Sequence, residues 1–222
     1  KVTFTYTVEF AGEGYGKQSK TVEADVTLTD GIATIYAPLM SNRVASNDYE
    51  KFNFNDTKAT YTYTIHYSEL DTWDGTSVST SLAGTGTEED PFLIQSAADF
   101  AYFAGVLNSV AGEAGVNYKV TTFQGQYFKM TKSIDLNGHA LIAGAHAGWN
   151  NYQGFFGHFD GNNCSIRGIS INNDTSSSSA LFGCIAKGAT VKNLSLYGQI
   201  NGRVRLGGLA GYLLGAVDNI AS

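Results

Sequence analysis

A repeated pattern in the C-terminal half of the chain constrains its fold more than any other feature of the sequence. Three segments share the order apolar-x-x-apolar and recur at a nearly constant interval: IRGISI (166–171), VKNLSL (191–196) and VDNIAS (217–222). Upstream of each stands an apolar pair followed by a glycine, and these glycines recur at nearly the same interval: Gly157, Gly183 and Gly211. Because the two landmarks repeat in step, the pattern predicts a solenoid whose repeats stack on one another.

The residues within the repeats favour one kind of solenoid. They lack the leucine-asparagine frame and the helix of leucine-rich repeats, and they consist of short strand-like runs between glycine turns. We therefore predict a short right-handed parallel β-helix, in which equivalent residues stack about 4.8 Å apart and the apolar ones fill the interior. One predicted interior column contains Ile166, Val191 and Val217, and the other contains Ile169, Leu194 and Ile220.

Asparagines also recur at equivalent positions of the repeats. Asn193 and Asn219 occupy the same position in successive repeats, and their side-chain amides are expected to form a short hydrogen-bonded ladder. The alignment places Gly168 at the same position of the preceding coil, so the predicted ladder ends there.

The segment SAADFAYFAGVLNSV, near residues 96–110, carries the one good helix signal of the sequence. Ser96 followed three residues later by Asp99 resembles a capping box. Apolar residues then recur at helical spacing, at Phe100, Phe103, Ala104 and Leu107. A β-helix exposes apolar side chains at each end, so we expect this α-helix to cap the N-terminal end. No capping pattern follows the last strand, and we expect either that the natural protein continues beyond Ser222 or that a neighbour caps this end.

The N-terminal third follows a different pattern. Apolar and polar residues alternate in VTFTYTVEF, TVEADVTLT and KATYTYTIHY, which is typical of strands with one buried and one wet face. Asp30-Gly31 lies between two such runs and predicts a hairpin turn. We therefore predict an antiparallel β-sandwich of immunoglobulin-like style over residues 1–70, without the Cys…Trp…Cys pattern of true immunoglobulin domains. A Ser, Thr and Gly-rich linker (71–86) then leads to the β-helix (87–222), so the predicted fold class is all-β.

Composition and charge exclude several classes of function. The net charge is −6 and no run of Lys or Arg is present, which argues against nucleic-acid binding. The sequence contains no stretch of 18 apolar residues, so no membrane span is predicted. The two cysteines, Cys164 and Cys184, are too few for a disulfide framework and are predicted to be buried free thiols. The chain begins with Lys rather than Met, which indicates a processed or engineered start.

Several segments, in this order, resemble the GLUG-repeat proteins: GTGTEEDPFLIQSAADF, GQYFKMTKSIDLNG, FGHFDGNNCSIRGISI, ALFG and GGLAG. The motif Gly-Leu-hydrophobic-Gly is matched fully by Gly208, Leu209, Ala210 and Gly211 and partly by residues 180–183, which end in Gly183. The resemblance covers roughly residues 84–222. It implies a large secreted or cell-surface bacterial protein with an adhesin-like role and no catalytic residues in the repeat. Residues 137–154 depart from the family, because they lack its proline-containing run.

One stretch, GWNNYQGFF (148–156), predicts ligand binding. Trp149 and Tyr152 offer ring faces to a sugar, while the amides of Asn150 and Asn151 suit its hydroxyl groups. The alternative is that these aromatic residues cover the edge of the solenoid. Trp73, in the linker, is expected to pack at the junction rather than bind a sugar.

The sequence does not favour catalysis or metal binding. Asp160 has no aligned acidic partner and is read as the turn residue of Asp-Gly-Asn, whereas glycoside hydrolysis needs two carboxylates. His139, His146 and His158 match no metal-binding frame. We expect no catalytic residues, cofactor or metal.

The predicted function is that of a non-catalytic, secreted or surface-exposed adhesin-like protein that binds an extracellular glycan or a cell-surface protein. Two alternatives stay open. Parallel β-helices also host polysaccharide lyases and glycosidases, so a carbohydrate-active enzyme on the same scaffold is one. A structural stalk that holds another domain away from the cell is the other.

Overall fold

A computed structural model describes most of the chain: residues 2–10, 20–26, 29, 31–37, 43–45, 49–53, 64–109, 123–144, 154–173 and 179–221. These residues form mainly strands and one helix, which confirms the all-β prediction in its broad sense. The N-terminal strands are β1 (Val2–Phe10), β2 (Lys20–Val26), β3 (Ile32–Tyr36), β4 (Arg43–Ala45), β5 (Tyr49–Asn53) and β6 (Thr64–Thr72). The later elements are β7 (Phe92–Ile94), α1 (Ala97–Ser109), β8 (Tyr127–Met130), β9 (Ser133–Asp135), β10 (His158–Asn173), β11 (Phe182–Ile185), β12 (Thr190–Gly202), β13 (Ala210–Leu213) and β14 (Ala216–Ala221).

The later strands pair side by side in parallel. Strand β10 pairs with β8 and β9 on one side and with β12 on the other, and β12 pairs with β14. A second, smaller sheet pairs β11 with β13, also in parallel. Successive passes of the chain therefore lie next to one another, and paired residues form columns across the strands.

The register confirms the repeat interval predicted between β12 and β14. It corrects the interval predicted between β10 and β12. Val191 pairs with Val217 and Leu194 with Ile220, as the aligned repeats predict. In the preceding pass, however, Val191 pairs with Phe159 and not with the predicted Ile166. The interval predicted between the first two repeats is therefore too short for the pairing of β10 with β12.

Irregularities in β10 account for part of this shift, because they add residues to β10 that β12 lacks. The pairing with β12 is interrupted between Asp160 and Cys164, where β10 holds two consecutive left-handed asparagines, with φ of 51° and 58°. Leu194 consequently pairs with Cys164 rather than with the predicted Ile169. Ile169 pairs instead with Gly198, after a second irregularity in the ladder. A bulge adds residues to one strand only, so an interval counted along the sequence cannot show it.

The asparagine ladder is confirmed, although its first member differs from the prediction. Asn219 Nδ2 donates to Asn193 Oδ1 (3.0 Å), and Asn193 Nδ2 donates to Asp160 Oδ1 (3.0 Å). Asn193 and Asn219 both have positive φ, of 54° and 49°, which asparagine tolerates better than most residues. Asp160, rather than the region of Gly168, therefore receives the ladder.

Helix α1 begins after Ser96, as the sequence predicts. Ser96 Oγ accepts a hydrogen bond from Asp99 N (3.1 Å), while the Asp99 carboxylate accepts one from Gln95 N (2.9 Å). The predicted apolar face is buried, and its rings contact rings from several strands. The Phe103 ring centroid lies 5.0 Å from that of Phe128, 5.5 Å from that of Phe155 and 5.6 Å from that of Phe159. The helix thus covers apolar side chains of the parallel strands.

Strand β6 connects the N-terminal strands to the later ones. It pairs antiparallel with β4, parallel with β1 and, through Leu70 to Thr72, parallel with β9. The parallel β1–β6 pair does not belong to the antiparallel arrangement that the sequence predicted. The hairpin turn is confirmed where the structure describes it, since Thr29 and Ile32 pair across Gly31, whose φ is 75°. One sheet therefore runs from β2 to β14 across the predicted start of the linker.

Candidate functional site

A groove on the outer face of the parallel sheet is the candidate site. Its floor begins with a column of outward side chains from three neighbouring strands, Tyr127, His158 and Thr190, which the register places side by side. The Tyr127 and His158 rings stack, with centroids 4.4 Å apart, and His158 Nδ1 lies 3.0 Å from Thr190 Oγ1. The backbone positions all three groups, because each lies on a paired strand.

A second column, two residues further along the same strands, alternates in charge. The register places Lys129, Asp160, Lys192 and Asp218 next to one another on β8, β10, β12 and β14. Lys192 Nζ lies 3.6 Å from Asp160 Oδ2. Asp160 Oδ1 also accepts a hydrogen bond from Asn162 N (2.8 Å) in addition to that from Asn193. The Asp160 carboxylate therefore orders the local turn and fixes a neighbouring cation.

The segment before β7 forms one wall of the groove. Thr85 N and Gly86 N both donate to the carbonyl oxygen of Asp90, and Gly86 in turn accepts a hydrogen bond from Tyr127 N (2.9 Å). Gly86 has a φ of 79°, and the space beside it is filled by the Phe92 ring, so a Cβ does not fit there. These bonds hold Glu88, Glu89 and Pro91 along the groove, which has a volume of about 530 Å³.

The groove combines ring, hydroxyl and charged groups of both signs. A hydroxyl, an imidazole, an ammonium and carboxylates face the same open space, as a ligand with several polar groups requires. Sequence reasoning missed this site because its floor residues do not recur at the interval of the sequence landmarks, and only the register of β8, β10 and β12 aligns them.

The binding residues expected from the sequence, Trp149, Asn150, Asn151 and Tyr152, lie outside the described residues. The structure does show where their segment is anchored. Ala143 pairs with Phe182 and Phe155 with Ile185. Residues 143–155 therefore correspond to the much shorter range 182–185, which is strand β11. The segment is therefore an insertion relative to the neighbouring pass of the chain.

The repeat-motif residues pair with one another along the backbone. Leu181 N donates to Gly208 O (3.3 Å), and Phe182 N donates to Leu209 O (2.8 Å). Because Phe182 pairs with Ala210, Gly183 stands opposite Gly211. The alignment of these two motifs in the sequence is confirmed, and their role in the described structure is to stack one pass on the next.

The other singled-out residues are not part of a site. Cys164 and Cys184 are buried and free, and burial raises the pKa of the Cys164 thiol to about 12 and that of Cys184 to about 11. Trp73 is buried and packs edge-on against His139, at 5.7 Å between ring centroids. Within the described residues, no group of three or more His, Cys, Asp or Glu side chains is arranged to hold a metal ion. No helix in that part of the chain is long and apolar enough to cross a membrane.

Comparisons with known proteins give two similar sequences. The chain is 33% identical over 146 residues to a putative Gly-rich membrane protein of Evansella cellulosilytica, a match that covers 62% of this chain and 15% of that protein. It is 30% identical over 145 residues to halomucin of Haloquadratum walsbyi, which covers 62% of this chain and 1% of halomucin. The chain thus spans a small part of both relatives. No protein-family model and no solved structure matches it.

Proposed function

We propose that the chain is part of a secreted or cell-surface adhesin-like protein of bacteria, and that it binds a glycan or a protein ligand without catalysing a reaction. On this proposal residues 87–222 form a parallel β-helix with GLUG-type repeats, and residues 1–70 form an immunoglobulin-like unit. The parallel pairing of β8, β10, β12 and β14 supports the first of these assignments. The similarity to a protein named as a membrane protein and to another named halomucin supports a surface location.

The observation that carries the binding role is the groove above the Tyr127–His158–Thr190 column. Paired strands fix the backbone of its floor, and a hydrogen-bonded turn fixes the backbone of its wall, so the positions that carry the polar groups are set before a ligand arrives. Preorganisation of this kind lowers the entropy cost of binding. Between a glycan and a protein ligand, the mixture of hydroxyl, ring and charged groups that line the groove favours a glycan.

A glycan array with purified protein tests this role. Tyr127→Ala removes the ring that stacks on His158 and is expected to weaken binding about tenfold, the equivalent of about 1.4 kcal/mol. Tyr102→Ala, a change on α1 outside the groove, is the matched control and should bind as the unmodified chain does. Trp149→Ala should be measured beside them, because it tests the segment predicted from the sequence. If no glycan or protein ligand is bound by the unmodified chain, the stalk is the better assignment.

One observation favours a second candidate, a carbohydrate-active enzyme. Glu88 and Glu89 line the same groove as Asp160, so three carboxylates face one space, and glycoside hydrolysis requires two. The contacts of Asp160 support binding over catalysis, because its Oδ1 already accepts hydrogen bonds from Asn162 N and Asn193 Nδ2 and its Oδ2 forms an ion pair with Lys192. Incubation with neutral polysaccharides and polyuronates, followed by assays for new reducing ends and unsaturated products, separates the two. Product formation that is lost in Asp160→Asn would establish the enzyme.

A further inference from the structure

Strands β13 and β14 lie together at one end of the stack of parallel strands. Within the described residues, β14 pairs with β12 alone and β13 with β11 alone, so each is the edge strand of its sheet. An edge strand presents a row of backbone N–H and C=O groups that can pair with a further strand. We call the surface formed by these two strands and by Leu206 and Leu214 the β13–β14 face.

Apolar side chains that continue the interior columns are exposed to solvent on this face. Val217 is 40% exposed, whereas Val191, its neighbour in the same column, is 0% exposed. Leu213 is 49% exposed, whereas its neighbour Ile185 is 0% exposed. Leu206 and Leu214, each 58% exposed, add to the same face. The last member of each column has the side chain of an interior residue, and no strand among the described residues covers it.

The columns also define which side chains a strand paired with β14 at this face would need. The charged column alternates as Lys129, Asp160, Lys192 and Asp218, so a cation is the complementary group beyond Asp218. The asparagine ladder rises through Asn193 to Asn219, whose side-chain carbonyl oxygen can accept from a further amide. On either side of these two residues stand the columns of Val217 and Ile220, which require apolar side chains.

We propose that the β13–β14 face binds a further parallel coil, whose edge strand carries an apolar residue, a cation, an asparagine and an apolar residue in that order. These four residues pair with Val217, Asp218, Asn219 and Ile220. Strand β12 shows the same order in Val191, Lys192, Asn193 and Leu194, and it packs on β14 from the opposite side. The inference concerns assembly of the stack and is independent of the ligand proposed for the groove.

An extended chain tests the proposal. Because Ser195 pairs with Ala221, a copy of residues 197–221 placed directly after Ser222 continues the register of the last coil. One version keeps the copied sequence, and a second carries Asp218→Lys in the appended copy only. A third chain carries the same residues in scrambled order as the matched control.

The version with the appended cation is expected to unfold at a temperature about 5 °C or more above the unextended chain. The version with the copied Asp should gain less, because two carboxylates then stack. The proposal is overturned if the scrambled extension gives the same gain, if the copied Asp is as good as the cation, or if no extension changes the midpoint. Dimerisation of the unextended chain that Leu213→Lys abolishes would assign the face to a second copy and would equally overturn it.

Discussion

Val191 and Val217 occupy the same column of the parallel stack but differ in burial, so they offer a matched pair of substitutions. Val→Ala removes two carbon atoms, worth about 0.8 kcal/mol each when fully buried, or about 1.6 kcal/mol in all. At Val191, which is 0% exposed, a cavity term of about 1 kcal/mol adds to this, so the free energy of unfolding should fall by about 2.5 kcal/mol. At Val217, which is 40% exposed, about 60% of the transfer term is lost and no closed cavity forms. The expected loss there is about 1 kcal/mol.

Urea unfolding of both variants, followed by circular dichroism and by tryptophan fluorescence, measures these values. The dependence of the free energy on urea concentration should not change, because neither substitution alters the surface exposed on unfolding appreciably. Equal losses for the two variants would show that the two valines do not differ in burial. A loss below about 1 kcal/mol for Val191→Ala would refute its interior position.

Individual contacts give three further predictions. Asn193→Ala should lower the free energy of unfolding by about 2–3 kcal/mol, because it removes a hydrogen bond with Asn219, a second with the Asp160 carboxylate, and a residue that tolerates positive φ. Asn193→Gly loses the same hydrogen bonds but adopts positive φ without strain, so its loss should be smaller. Equal losses for the two variants would argue against backbone strain at this position. Hydrogen bonds from Ser77 hold the pKa of the Asp74 carboxyl below its usual value, so its stabilising effect is present above the unfolded pKa of about 3.9 and is lost as the pH falls below it. Asp74→Ala should therefore flatten the acid side of a plot of unfolding midpoint against pH, and an unchanged plot would contradict this role. Because burial raises the pKa of the Cys164 thiol to about 12, iodoacetamide at a pH of about 8 should modify that thiol much more slowly in the folded chain than in urea, as mass spectrometry of the peptides would show.

Local patterns in the sequence predicted local features of the fold well. The helix start at Ser96 and the apolar face with Phe103 follow from spacing within one turn or two, and the structure confirms both. The pairing of Val191 with Val217 follows from two passes of nearly equal length. Such features depend on neighbours along the chain, which the sequence displays directly.

Features that depend on register were not predicted. His158 stands 32 residues before Thr190, whereas Thr190 stands 26 before Ala216, and the bulge after Asp160 supplies part of the difference. The groove column of His158 and Thr190 is therefore not visible as a repeat. The insertion before Phe155 has the same effect, because it lengthens one pass only. Extra residues at bulges and turns cost little free energy, so sequence intervals drift while the stacked strands stay aligned.

The contacts between the N-terminal strands and the later strands were not predicted from the sequence, for a different reason. The hydroxyl groups of Ser68 and Ser133 bond to each other in the interior, and Ser133 Oγ also accepts a hydrogen bond from Ser165 N (2.8 Å). Arg167 reaches across to donate to the carbonyl oxygen of Ala45 (2.8 Å). Serine and arginine in a sequence are typical of surface positions, so buried polar contacts of this kind give no signal in the hydrophobic pattern.

Disulfide trapping tests the register that creates the groove most directly. The structure places Asp160 beside Lys192, and α-carbons of paired strands lie within the roughly 4.4–6.8 Å that a disulfide requires, whereas the spacing of the sequence landmarks places Arg167 there. Mild oxidation of the folded double variant Asp160→Cys with Lys192→Cys should give a disulfide-linked peptide pair by mass spectrometry, and Arg167→Cys with Lys192→Cys should not. Trapping of the second pair in preference to the first would contradict the register, and with it the groove.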